Sequence, residues 1–149
     1  MAVRVQEPDF DIGAEMDALT AGNPDIGAVA SFTGLVRSGA GEITEMELEH
    51  WPGVTEQALE AIEAEARGRW PLQGVTIIHR YGPLAPGARI VLVLTASPHR
   101  AAAFEAAEFI MDYLKTRAPF WKREVGPAGA KWVDAREADK QAETRWYTR

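Results

Sequence analysis

Four cations fall within nine residues of this chain: Lys115, Arg117, Lys122 and Arg123, in the run KTRAPFWKR. No acid interrupts them before Glu124, although the chain as a whole is acidic, with 16 Lys and Arg against 22 Asp and Glu and a net charge of −6. Pro119, Phe120 and Trp121 stand between the cations and restrict the water around them. An ammonium group crowded by like charge and apolar wall is disfavoured, which lowers its pKa and equips a lysine as acid, base or nucleophile near neutral pH. A plainer reading fits the same residues: cations stabilise a helix C-terminus through the macrodipole, while Phe120 and Trp121 join the core.

Two further features bear on the chemistry. Ser97-Pro98-His99-Arg100 reads as a helix start, with Ser97 as N-cap and Pro98 at the first helical position. Free backbone N–H groups there, beside a histidine and an arginine, outline an anion site. Arg37 closes an apolar segment just before the flexible Ser38-Gly39-Ala40-Gly41 and suits phosphate capture, though an arginine in a loop is also commonplace. Arg100 and Lys115, read onto one helix, are separated by about 22 Å at 1.5 Å per residue. A small ligand that touches both must therefore lie where two copies of the chain meet, which predicts a homodimer.

Other chemistries are excluded or weakly supported. With no cysteine there is no disulfide, thiolate metal site or cysteine nucleophile, so any sulfur must arrive on another molecule. His50, His79 and His99 form no metal-binding spacing; His50 and His79 sit in strand patterns and read as hydrogen-bonded structural residues. No metal and no resident cofactor is expected, and there is no GxGxxG, Walker A or GxSxG motif. The net charge opposes general nucleic-acid binding, including single-strand binding through Phe120-Trp121-Lys122-Arg123. No segment has the roughly 18 apolar residues of a membrane helix, and residues 1–11 carry no secretory signal, so a cytoplasmic protein is expected.

The elements that must position these residues follow from hydrophobic period and breakers. The 149 residues suit one domain: a lead-in strand and helix over 1–24, a central body, and a polar tail over 137–149. Apolar runs at 27–36, 74–81 and 89–96 read as strands, and 43–50 as a strand whose Met46, Leu48 and His50 alternate with Glu45, Glu47 and Glu49. Helices are expected at 55–69, with Leu59, Ile62 and Ala66 buried, and from Ser97 to about Thr116, with Phe104, Ala107, Met111 and Leu114 as its buried stripe. Residues 82–87 read as a tight loop and 120–134 as a final hairpin around Gly126-Pro127-Ala128-Gly129. The tail alternates in charge without an apolar face and is expected to fold only against a partner. Adjacent strand pairs joined by short loops make this an α+β fold with a largely antiparallel sheet and packed helices.

The run FIMDYLKTRAPFWKRE (residues 109–124) resembles the signature of the molybdopterin synthase large-subunit family. SFTGLVR (31–37), LEHWPG (48–53), RWPL (69–72), IHR (78–80) and HR (99–100) stand around it in the family's order, so the resemblance covers about residues 27–136. It implies an α/β-hammerhead-type fold and a sulfurtransferase of molybdenum cofactor biosynthesis. The donor would be the thiocarboxylated C-terminal glycine of a small ubiquitin-like subunit, the acceptor cyclic pyranopterin monophosphate, and the product the dithiolene of molybdopterin. Two large subunits would pair centrally in a heterotetramer. By the same resemblance Lys115 and Lys122 match the essential lysines, and Arg37, His99 and Arg100 the phosphate and pterin pocket. Arg123 and Glu124 would flank that pocket, Phe32, Leu35, Val36 and Met111 would line it, and Arg136 would add a further basic group. The loop after Arg37 is shorter and blander than the family's polar loop. A non-catalytic module that grips a ubiquitin-like tail or an anionic ligand is the alternative.

Overall fold

In a computed structural model, residues 2–133 and 137–147 are described. The order is β1 (Val3–Gln6), α1 (Ile12–Thr20), β2 (Ala28–Leu35), β3 (Glu45–His50), α2 (Val54–Arg69), β4 (Gly74–Arg80), β5 (Gly82–Leu84), β6 (Arg89–Ser97), α3 (Arg100–Arg117), β7 (Phe120–Gly126), β8 (Gly129–Val133) and α4 (Glu137–Thr144). The strands form two four-stranded sheets, β1-β4-β6-β2 and β5-β3-β7-β8. All pairs are antiparallel except β1 with β4, which runs parallel.

The first sheet is covered on both sides, which is why β4 and β6 are apolar without a break. Side chains alternate across a strand. Ile77, Val91 and Val93 face the large core with α2 and α3, while Ile78, Leu92 and Leu94 face α1 and Phe10. The second sheet has one dry face: Met46, Leu48 and Leu84 pack with Val36, and the glutamates of β3 lie on the other side. The alternation expected for residues 43–50 is therefore observed.

Four expectations are corrected. Residues 82–84, read as loop, form β5 on the edge of the second sheet, with Leu84 opposite Met46 and Gly82 opposite Leu48. The helix expected from Ser97 begins at Arg100, after His99 as N-cap residue. Ser97 is instead the buried last residue of β6, paired with Ala28, and its hydroxyl donates to the His99 carbonyl. Phe104 is 65% exposed, whereas Ala103, Ala106, Phe109, Ile110 and Tyr113 turn into the core. Lastly, the polar tail forms α4 and packs on α3 of its own chain. Trp146 is the anchor: it is 1% exposed and edge-on to Trp70 and Phe109, and its Nε1 donates to Asp112 Oδ2 at 2.7 Å.

Candidate active site

The second sheet meets the C-terminal end of α3 around a cavity of about 360 Å3. Its polar lining comprises Arg37, His79, Lys115, Lys122, Glu124 and Asp139; Leu35, Phe120 and others supply apolar wall. Lys115 extends from the last turn of α3, and Lys122 and Glu124 from β7. The period of two explains which residues of β7 take part. Lys122 lies opposite Leu48 and Glu124 opposite Met46, on the dry side, so Trp121 and Arg123 must face the other way.

A buried hydroxyl fixes the corner between the two lysines. Thr55, fully buried at the start of α2, accepts the Trp51 N–H at 2.9 Å and donates to the Pro119 carbonyl at 2.9 Å. Arg37 follows the end of β2, where Val36 exchanges backbone hydrogen bonds with the 87–88 turn at 2.7 and 2.9 Å. Lys115, Lys122 and Arg37 set three positive charges against the carboxylates of Glu124 and Asp139, a local excess of cation in a chain of net charge −6. A cavity of this size, open to solvent on one side, suits one small anionic guest.

His79 forms part of the wall and is 5% exposed. Its ring stacks on Phe120 with centroids 3.7 Å apart, and its Nδ1 lies 2.9 Å from the Arg80 carbonyl. Burial pushes its pKa down to about 4; the nearby Lys115 and His50 act in the same direction and the Arg80 carbonyl opposes them. The imidazole is therefore neutral at physiological pH.

Of the residues expected at the site, the structure gathers Leu35, Arg37, Lys115, Lys122 and Glu124 around this cavity. Others lie elsewhere. Val36 is 3% exposed in the core of the second sheet, because it points opposite to Leu35 and Arg37. Met111, one helical turn before Lys115, is buried in the helix–sheet core rather than lining the cavity. Phe32 is 41% exposed on β2 and does not line it. Arg123 faces away and pairs with Glu47. His99 and Arg100 are exposed at the opposite end of α3. Arg136 lies outside the described residues. Sequence reasoning missed the cavity role of His79, because a strand buried on both faces carries no alternation to orient it. It also missed Asp139, which arrives on a helix the charge pattern does not announce.

The sequence and the fold agree with known proteins. The sequence model described as MoaE protein matches residues 5–117. The chain belongs to the MoaE family. A "Molybdopterin synthase catalytic subunit" from Mesorhizobium japonicum is 57% identical over 146 residues, covering 97% of this chain and 92% of that protein. Among solved structures, a molybdopterin biosynthesis MoaE protein from Burkholderia ambifaria is 55% identical with a TM-score of 0.85, each chain covered to 98%. The molybdopterin synthase of Staphylococcus aureus, 30% identical, superposes with a TM-score of 0.80 over 87% of this chain and 95% of that one. Membership in the MoaE family makes this chain an enzyme subunit of molybdenum cofactor biosynthesis. Among the described residues no helix is long and apolar enough to cross a membrane.

Proposed function

We propose that this chain is the catalytic subunit of a molybdopterin synthase and works in the cytoplasm. It transfers sulfur from the thiocarboxylated C-terminus of a small ubiquitin-like partner to cyclic pyranopterin monophosphate. The observation that carries this reading is the convergence of Lys115 and Lys122, with Arg37, on one cavity. Sulfur transfer to an anionic pterin needs three things from such a site: a clamp for the phosphate, a group that handles protons or captures the acyl carbon, and positive charge where anion develops. Arg37 serves as the clamp. Lys115 carries out proton transfer or transient capture at the sulfur-bearing carbonyl, and Lys122 stabilises substrate and intermediate. The absence of cysteine is consistent with a sulfur that resides on the partner's tail.

His99 and Arg100 enter through a second copy. They begin the helix whose last turn bears Lys115, about 22 Å away at 1.5 Å per residue, so one chain cannot bring both ends to one small substrate. Two large subunits that pair centrally would let each supply the other's anion-binding helix start, with a small subunit on either side.

Anaerobic incubation of the purified chain with thiocarboxylated partner and pterin precursor tests the reading. Dithiolene formation that depends on Lys115 supports it. Tight binding of the partner's tail without product would make the chain a carrier-binding module instead.

A further inference from the structure

We infer that His79 is a specificity-determining residue of the cavity, whose Nε2 accepts a hydrogen bond from an N–H group of the bound guest. The inference rests on the functional reading above and adds to it a residue and the kind of ligand atom it recognises.

The argument begins with the tautomer. A carbonyl oxygen can only accept, so the 2.9 Å contact between Nδ1 and the Arg80 carbonyl places the proton on Nδ1. Nε2 is then a lone-pair acceptor with no hydrogen bond from any described residue. The ring is held twice, by that bond and by the stack on Phe120 at 3.7 Å and 20°, so Nε2 has a fixed direction. Nε2 is not among the buried atoms of the described residues that lack a partner, so it is open to solvent, and the space that His79 borders is the cavity. A guest that displaces water there must bring a donor in its place.

The chemistry of the wall shows what such an acceptor adds. Arg37, Lys115 and Lys122 are donors only, and Glu124 and Asp139 are acceptors that carry negative charge. A carboxylate that took an N–H from an anionic guest would also repel its phosphate or thiocarboxylate. Neutral imidazole reads the N–H without that repulsion, and burial keeps it neutral down to about pH 4. Two guests could present the donor: the heterocyclic ring of the pterin precursor, or the backbone amides of the partner's glycine tail.

Three substitutions separate this role from a structural one. His79→Gln retains an acceptor near the Nε2 position, His79→Asn retains only the donor near Nδ1, and His79→Phe keeps the stack and neither nitrogen. Calorimetric titrations use the unmodified carboxylate form of the small partner in one arm and cyclic pyranopterin monophosphate in the other, with thermal melts as a check on folding. We expect His79→Phe and His79→Asn to weaken one of the two ligands about tenfold while His79→Gln stays within about threefold of wild type. The ligand that weakens identifies the donor. If His79→Phe binds both ligands as wild type does, or if His79→Asn recovers binding and His79→Gln does not, the inference is overturned. Should the Phe variant fail to fold, the Gln and Asn pair still decides. A wild-type chain that binds neither ligand overturns the functional reading itself, an outcome separate from any effect of the variants.

Discussion

Lys115 and Lys122 reach one cavity from two different elements, the last turn of α3 and the third residue of β7, with the Pro119 carbonyl bound by the Thr55 hydroxyl at 2.9 Å between them. Neither element alone would bring both amines together. The helix ends at Arg117, and the corner at residues 118–119 turns the chain into a strand whose alternation directs Lys122 inward and Arg123 outward.

Removal of either amine should therefore stop the chemistry and spare the fold. Lys115 is exposed and Lys122 only half-buried, so alanine at either position leaves no large void. Lys115→Ala and Lys122→Ala should each lower the rate of dithiolene formation by about 10²- to 10⁴-fold, the range for loss of a positioned proton-transfer or charge-stabilising group. Unfolding midpoints should stay close to wild type. Turnover near the wild-type rate in Lys115→Ala would remove that residue from the mechanism.

The corner itself can be tested without touching a charge. Thr55→Val keeps shape and volume but leaves the Trp51 N–H and the Pro119 carbonyl without their partner. Each unsatisfied buried group costs about 1–3 kcal/mol, so the melting temperature should fall by several degrees. The relative positions of the two lysines should shift with it, and kcat should drop more than partner affinity. A variant that melts earlier yet turns over at the wild-type rate would show that the corner serves stability alone.

Trp146 makes a second prediction about stability and site together. Replacing this buried indole with alanine removes its edge-on contacts with Trp70 and Phe109 and its bond to Asp112, at a cost of about 3–5 kcal/mol. If α4 depends on that anchor, proteolysis near residues 137–147 should accelerate, and Asp139 should leave the cavity wall. Limited proteolysis beside a thermal melt measures both effects. A variant that resists protease as wild type does would show that α4 is held by other contacts, such as the Arg117–Glu143 ion pair at 2.6 Å.

Much of this was legible in the residues, and the parts that were not share a cause. Apolar runs mark β4 and β6, glutamate alternation marks the wet face of β3, and a cation run in an acidic chain marks the lysine pair, since all three are local signals. Gly82-Pro83-Leu84 reads as a turn because its pairing with β3 is made by residues more than thirty positions away. Ser97 has the chemistry of an N-cap, yet the ladder to β2 claims it and starts the helix three residues later. Phe104 falls on the helical stripe, but α3 is rotated so that Ala103, Phe109 and Ile110 join the core in its place. The tail packs on α3 through one buried tryptophan after a polar stretch and through ion pairs such as Arg117–Glu143, and no periodicity reveals either.

The pH dependence of stability should carry the signature of His79. Its pKa is lowered in the folded chain to about 4 from an ordinary value of 6.5. Between those values the unfolded chain binds a proton that the native chain refuses, so stability rises with pH across this window and is lost as the pH falls, by up to about 1.4 kcal/mol per unit. Asp9 and Glu143 also have lowered pKa values, but their loss begins below their ordinary values of 3.8 and 4.5, under the part of the window that matters. Urea unfolding at pH 4.5 to 7.5 should thus show a sloping limb between 4.5 and 6.5 for wild type and a flatter one for His79→Phe, which keeps the stack on Phe120 but cannot take up a proton. Lys115 and His50 lie near the ring and add to the shift, so Lys115→Ala should flatten the limb slightly and in the same direction. Parallel limbs in wild type and His79→Phe would mean that the imidazole protonates freely in the native state. The neutral acceptor at the cavity wall would then be lost with it.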